Sequence, residues 1–407
     1  MSKNIKKASV LGGSMIVAGT SIGAGMLALP TVSAGMWLAW ASLLLIFTWF
    51  CMFRSSQAIL EVNIHFEAGV SFHSLVKNTL GIKWSIINGI SISFVLYILI
   101  YAYISGGSSL VSYLFDVGGI NIDRKIASVL FALALIICIW ASTWLVDKFS
   151  VIMVIIMSIA FFISMSGLLP SISLSNIFDT NNNVIYMWTA VSTYLTSFCF
   201  HGNVPSLVKY FGKEPDRINK CLLYGTLITL ACYSIWIFVA SGSISQKGFK
   251  AVINAGGNVG SLIQAANTGL SNEFITRALD TFAALALTTS FLGAGLGLFD
   301  YLADLFKIDD TPIGRAKTSL ITFVPPMIGG IFFPEGFISA ISWAGLFSII
   351  WAVIVPALMV LKVRQQYGEI SYSPFKGKFI PYLLIIYGII AGLCHILVVF
   401  KILPEFK

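Results

Sequence analysis

A chain of 407 residues with 57% apolar and only 10% charged residues, and a mean hydropathy of +0.90, is too apolar for a soluble globular protein, where about a quarter of residues are charged. Its length supplies roughly ten to twelve helical spans of about 20 residues, with little to spare, so one all-α polytopic membrane domain over 1–407 is expected. The formal net charge of +8 does not mark a nucleic-acid partner, because the basic residues are scattered through connections and form no basic face.

Lys3, Lys6 and Lys7 precede an apolar run that lacks a small-residue cleavage site, so the run reads as a retained first span and not a leader. Apolar windows near 9–33, 37–60, 84–114, 126–146, 149–169, 184–211, 218–241, 274–300, 315–333, 337–361 and 379–400 give 11 spans. With the N-terminus cytoplasmic, 18 of the 25 Lys and Arg fall on the inner side, as the positive-inside rule requires, and the odd span count puts the C-terminus outside. Between the second and third spans, residues 63–83 have room for a short helix at the inner surface. Phe66, Val70, Phe72, Leu75 and Val76 would form its apolar side, as a connector or a gate. The polar insertion 242–272 is expected to order partly over the outer entrance.

Two of these spans are interrupted. The first carries GTSIGAGMLALP from Gly19 to Pro30, and the sixth carries SFCFHGNVPSL from Ser197 to Leu207, where Gly202 and Pro205 oppose a continuous helix. Freed backbone groups have no water partner in lipid and cost several kcal/mol each, so a broken span must line a cavity or a site. The breaks lie five spans apart in units of opposite topology, about 9–169 and 184–361, with 379–400 as an extra helix. Inverted repeats with paired broken helices point to the midplane site of a secondary transporter. The glycines at 19 and 23 also fit a simple helix-packing motif.

A zwitterion needs both amides and carbonyls. The amides of Gly23, Ala24 and Gly25 are the candidates for a carboxylate, and the carbonyls near Gly19, Thr20 and Phe198 for an ammonium group. Ser21, His201, Gly202 and Asn203 complete the polar lining of the two breaks. On the third span Phe94, Tyr97, Tyr101 and Ser105 share one helical face, and Tyr194, Phe198 and Phe200 add rings from the sixth. Such a lining suits an aromatic ligand, although aromatic residues are also ordinary membrane packing.

Ionisable groups inside the spans are few. His201 is either a titrating group or an uncharged brace for the unwound backbone. Asp280 is a candidate proton relay or a snorkelling carboxylate, and Asp300 and Asp304 share the inner end of the eighth span. Thr288, Thr289 and Ser290 offer mid-span hydroxyls to a cation or to their own helix. Cys51, Cys138, Cys199, Cys221, Cys232 and Cys394 and the four histidines show no metal spacing, so no metal or cofactor is expected.

GTSIGAGMLALP, FTWFCM, LEVN, NGISISFVLYILIYAYIS, FHGNVPSLVKYFGK and SFLGAGLGLFDYLADLFKIDD together resemble the bacterial aromatic amino acid permeases of the hydroxy and aromatic amino acid permease family, most closely its tryptophan-specific members. The resemblance covers nearly the whole chain. It implies a LeuT-like fold of two inverted five-helix repeats plus an eleventh helix, a bacterial inner-membrane location, and proton-driven uptake of tryptophan or related aromatic amino acids. It departs at Met157, where relatives align a lysine; sodium coupling through Gly19, Ile22, Thr289 and Ser290, with Asp280 or His201 as further candidates, is the alternative that this departure opens.

Overall fold

The computed structural model describes residues 9–179, 183–268, 270, 272–368 and 372–406, so Lys3, Lys6, Lys7 and Lys407 lie outside the described residues. All regular structure among the described residues is helical: α1 Val10–Ser21, α2 Ala24–Ser33, α3 Trp37–Ile64, α4 Phe72–Leu80, α5 Ile82–Val117, α6 Arg124–Ala141, α7 Thr143–Leu168, α8 Leu174–Ile177, α9 Ile185–Ser197, α10 Asn203–Phe211, α11 Pro215–Ser243, α12 Gln246–Asn254, α13 Val259–Asn267, α14 Glu273–Phe306, α15 Pro312–Phe332, α16 Phe337–Ile349, α17 Val355–Tyr367 and α18 Phe379–Val399. A π-helical turn at Ile350–Ile354 joins α16 to α17.

Among the described residues, eight helices are long and apolar enough to cross a membrane, or nine when α1 and α2, bent by 56° at their junction, count as one span. The chain is therefore a polytopic helical membrane protein. The remaining two windows, 184–211 and 315–333, correspond to the α9/α10 pair, separated by Phe198–Gly202, and to the proline-containing α15. The connection between the second and third predicted spans forms α4, which packs against α5 and α17 and buries Leu75 and Val76. The outer insertion holds α12 and α13.

Proline makes the packing of this bundle specific. Each proline inside a helix removes the N–H that would serve the carbonyl four residues earlier, and in lipid that carbonyl needs another donor. Pro30 frees Met26 O, and the indole Nε1–H of Trp236 in α11 donates to it at 3.1 Å. Pro325 frees Ile321 O, and the Tyr97 hydroxyl of α5 donates to it at 3.0 Å. Pro356 frees Ala352 O at the π turn, and the Ser55 hydroxyl of α3 donates to it. Three prolines thus tie three helix pairs together through the carbonyls they free.

The insertion packs over one end of the bundle. The Gln246 amide donates to Ala34 O at 3.3 Å, Phe249 packs edge-on to Trp37, and the Gly260 N–H donates to Ser109 Oγ at 2.6 Å. Asn258, fully buried at the start of α13, bonds to Glu335, which also pairs with Arg124 at 3.4 Å. At the opposite end Arg364 of α17 grips the buried Glu61 of α3 through two bonds of 2.6 and 2.7 Å.

Candidate functional site

The first break is short. Ile22 N–H still bonds Ala18 O at 2.7 Å, then Ile22 turns extended and α2 restarts at Ala24. A helix start leaves its first amides without helical acceptors. Here the Ala24 N–H is met by Ser290 Oγ of α14 at 2.9 Å, and Met26 N–H turns back to Gly23 O at 3.1 Å. The Gly25 amide has no acceptor from its own helix, and Gly25 lies half-buried beside Ser197, whose hydroxyl donates to Gly25 O at 3.1 Å. Diverting the Ala24 amide to Ser290 also releases Thr20 O from its helical donor. Gly23 is required by close approach: a Cβ there would overlap Ser290 Oγ.

The second break is longer and carries its own turns. Phe198 and Cys199 bond back three residues to Leu195 O and Thr196 O, and Asn203 N–H bonds Phe200 O at 2.9 Å. His201 is fully buried between its neighbour Phe200, stacked at 4.9 Å, and Trp351, edge-on at 6.2 Å. Its Nε2 lies 3.1 Å from Met52 O. A carbonyl only accepts, so Nε2 carries the hydrogen, and the ring ties the break to α3 as a brace.

Tyr233 of α11 joins the two breaks. Its hydroxyl oxygen lies 2.6 Å from Ser21 O, at the end of α1, and 2.6 Å from Ser197 O, at the end of α9. Its ring packs against Phe198 at 5.0 Å, and Tyr233 is fully buried. A second bridge forms where Asn203 Nδ2 donates to Thr20 Oγ1 at 2.6 Å.

Below the Gly23–Ser290 contact the surfaces separate. Gly19 and Thr20 are exposed, as is Gly202, and a Cβ at Gly19 or Gly202 would meet nothing within 4 Å. Gly293 and Gly297, on the α14 face that carries Ser290, are likewise open, whereas a Cβ at Gly295 would strike Ile139 and Phe323. Bare backbone at Gly19, Gly202, Gly293 and Gly297 is thus exposed on the α1 and α10 side of the breaks, while α12 and α13 pack against α2.

Other expected residues have partners of their own. Tyr97 and Tyr101 direct their hydroxyls to α15, at Ile321 O and Phe333 O, and Phe94 packs on Phe347 at 3.9 Å. Phe198 is buried against Tyr233, and Phe200 joins the inner core with Val204 and Met359. Asp280 accepts from Asn267 at 3.0 Å near the outer end of α14, about 15 Å along the helix from Ser290. Thr289 bonds its own helix at Leu285 O, 2.7 Å away. Met157 is buried between α7 and α14. Tyr233 and Trp236 were not singled out from sequence. The available signal is two aromatic residues with polar tips, three apart on one face of a mid-membrane helix, each of which must find a partner when buried.

The sequence profile described as the tryptophan/tyrosine permease family matches residues 6–395. Among proteins similar in sequence, a tryptophan-specific transport protein of Pseudomonas aeruginosa is 44% identical, covering 99% of this chain and 98% of its own. A low affinity tryptophan permease of Escherichia coli is 38% identical over 98% of both chains. A tyrosine permease of Enterobacter agglomerans is 34% identical over 99% of this chain and 100% of its own.

Proposed function

The chain belongs to the tryptophan/tyrosine permease family, and from that premise we propose that it imports aromatic amino acids, L-tryptophan first among them, by proton-coupled symport with alternating access. It is a permease and not an enzyme. The observation that carries the proposal is the convergence of two broken helices, with the Gly25 amide at a fresh helix start and the Thr20 carbonyl released at the end of α1. A helix N-terminus attracts a carboxylate and freed carbonyls attract an ammonium group, so an amino acid backbone fits between them.

We take the architecture as LeuT-like: 11 spans, inverted repeats over 9–169 and 184–361, the extra helix 379–400, and spans 1 and 6 discontinuous. Breaks five spans apart support that assignment. The balance of basic residues supports a cytoplasmic N-terminus and a periplasmic C-terminus in a bacterial inner membrane. Closure at the outer end, with open space at Gly19, Gly202, Gly293 and Gly297, fits the inward-facing member of an alternating pair. In this reading the aromatic ring leaves past the glycine face of α14, where no side chain obstructs it.

Sodium coupling through Gly19, Ile22, Thr289 and Ser290 is the second reading, favoured by the Ser290 hydroxyl at the first break. Reconstituted tryptophan uptake, with proton and sodium gradients imposed separately, separates the two. Accumulation driven by the proton gradient alone is expected; accumulation only with sodium selects the second reading, and counterflow without net accumulation indicates an exchanger. Replacing Gly25 with Trp is expected to abolish tryptophan binding, and retained affinity would remove the amide site from the proposal.

A further inference from the structure

We propose that the Tyr233 hydroxyl stands in for a bound cation where the two broken spans meet, acting as a positioning residue that frees this point from dependence on a metal ion. The inference rests on the transport reading above, since it assigns a task to the same pair of breaks.

Helices α1 and α9 both present their C-terminal ends to the break region. The last carbonyls of a helix have no helical donors and together carry about half a negative charge. Ser21 O and Ser197 O come from these two ends and converge on one point, 2.6 Å from each, which the Tyr233 oxygen occupies. Converging carbonyls at half-helix ends are the usual ligands of a coupling cation in broken-helix transporters. Their spacing from that point lies at the edge of hard-cation contacts, about 2.3 to 2.6 Å.

A phenol has one hydrogen and serves one carbonyl at a time. Bulk water does not reach this point, because Ser21, Ser197 and Tyr233 are 6%, 3% and 0% exposed. The single proton is therefore shared between two like-polarised helix ends that would otherwise repel. The ring is held for this by Phe198 on one side, so a Tyr233→Phe change keeps the packing and removes only the donor.

Without the hydroxyl, the carbonyl pair becomes a place for a small monovalent cation. The test uses the full chain in proteoliposomes, with tryptophan uptake driven by a proton gradient in choline medium and then with sodium, lithium or potassium added at fixed pH and membrane potential. Saturable wild-type uptake tests the transport reading separately. Wild-type uptake is expected to ignore the added cation. Tyr233→Phe is expected to lose roughly ten- to hundredfold in kcat/KM in choline and to regain at least half of the wild-type rate with one of the cations. Near-normal transport by Tyr233→Phe in choline, or a correctly inserted Tyr233→Phe that no cation revives, overturns the proposal, as does a wild type that requires sodium. Should Tyr233→Phe fail to insert, Tyr233→4-aminophenylalanine offers one N–H to each carbonyl; it is expected to transport without added cation, and a cation requirement there counts against the proposal.

Discussion

The two breaks solve the same problem in opposite ways. At Ile22–Gly23 the chain turns within two residues, and nearly every stabilising group comes from another helix: Ser290 from α14, and Tyr233 and Trp236 from α11. At Phe198–Gly202 the chain makes its own short turns and sends its own His201 outward to α3. A glycine break has no side chains to spend on its backbone, so its neighbours must supply the donors and acceptors. The second break shares Tyr233 with the first but supplies its own turns and its own His201 side chain.

This contrast predicts that the first break is the more fragile under substitution. The largest effect is expected for Gly23→Ala, whose Cβ would displace Ser290 Oγ; overpacking of this kind costs about 1 to 3 kcal/mol, and uptake should fall roughly ten- to hundredfold. The double variant Gly23→Ala with Ser290→Ala should transport better than Gly23→Ala alone, because the nearest remaining Ser290 atom, Cβ, would lie 3.7 Å away. A double variant worse than either single one would show that the overlap is not the cause.

Trp236→Phe leaves Met26 O without a donor and should lower stability by about 1 to 3 kcal/mol, read as a lower melting temperature in detergent. Adding Pro30→Ala restores an N–H in the right place and should recover most of that loss. No recovery would mean that Trp236 acts by bulk alone.

For the second break, His201→Gln should cost about 1 kcal/mol and leave the pH profile of uptake unchanged, as befits a buried ring donating to a carbonyl. A shifted profile would make His201 part of proton transfer and erase the contrast between the breaks. The smallest effect is expected for Tyr97→Phe. Its hydroxyl serves Ile321 O on a half-buried face, so about 0.5 to 1 kcal/mol of stability and little change in KM are expected. A tenfold rise in the KM for tryptophan would extend the substrate cradle to α5.

Much of this was legible from the residues. Windows of apolar sequence coincide with the eight long apolar helices found among the described residues, because the lipid core tolerates little else, and Gly19–Pro30 and Ser197–Leu207 marked both interruptions. The partners of those interruptions were not legible. Tyr97 and Tyr233 are both tyrosines on apolar helices, and nothing local says that one serves a carbonyl freed by proline in α15 while the other joins two helix ends. Periodicity grouped Phe94, Tyr97 and Tyr101 on one face but could not say which helix that face would meet.

The sequence by itself determined that this chain lives in a membrane, which stretches form its long apolar helices, and where helices break, since those follow from the cost of exposing charge and unpaired backbone to lipid. Only the tertiary structure decided which groups satisfy the broken backbone. Hydrogen bonds between helices depend on rotation and depth that no single helix encodes, so Ser290, Tyr233 and Trp236 acquired their roles only when α2, α11 and α14 were packed together.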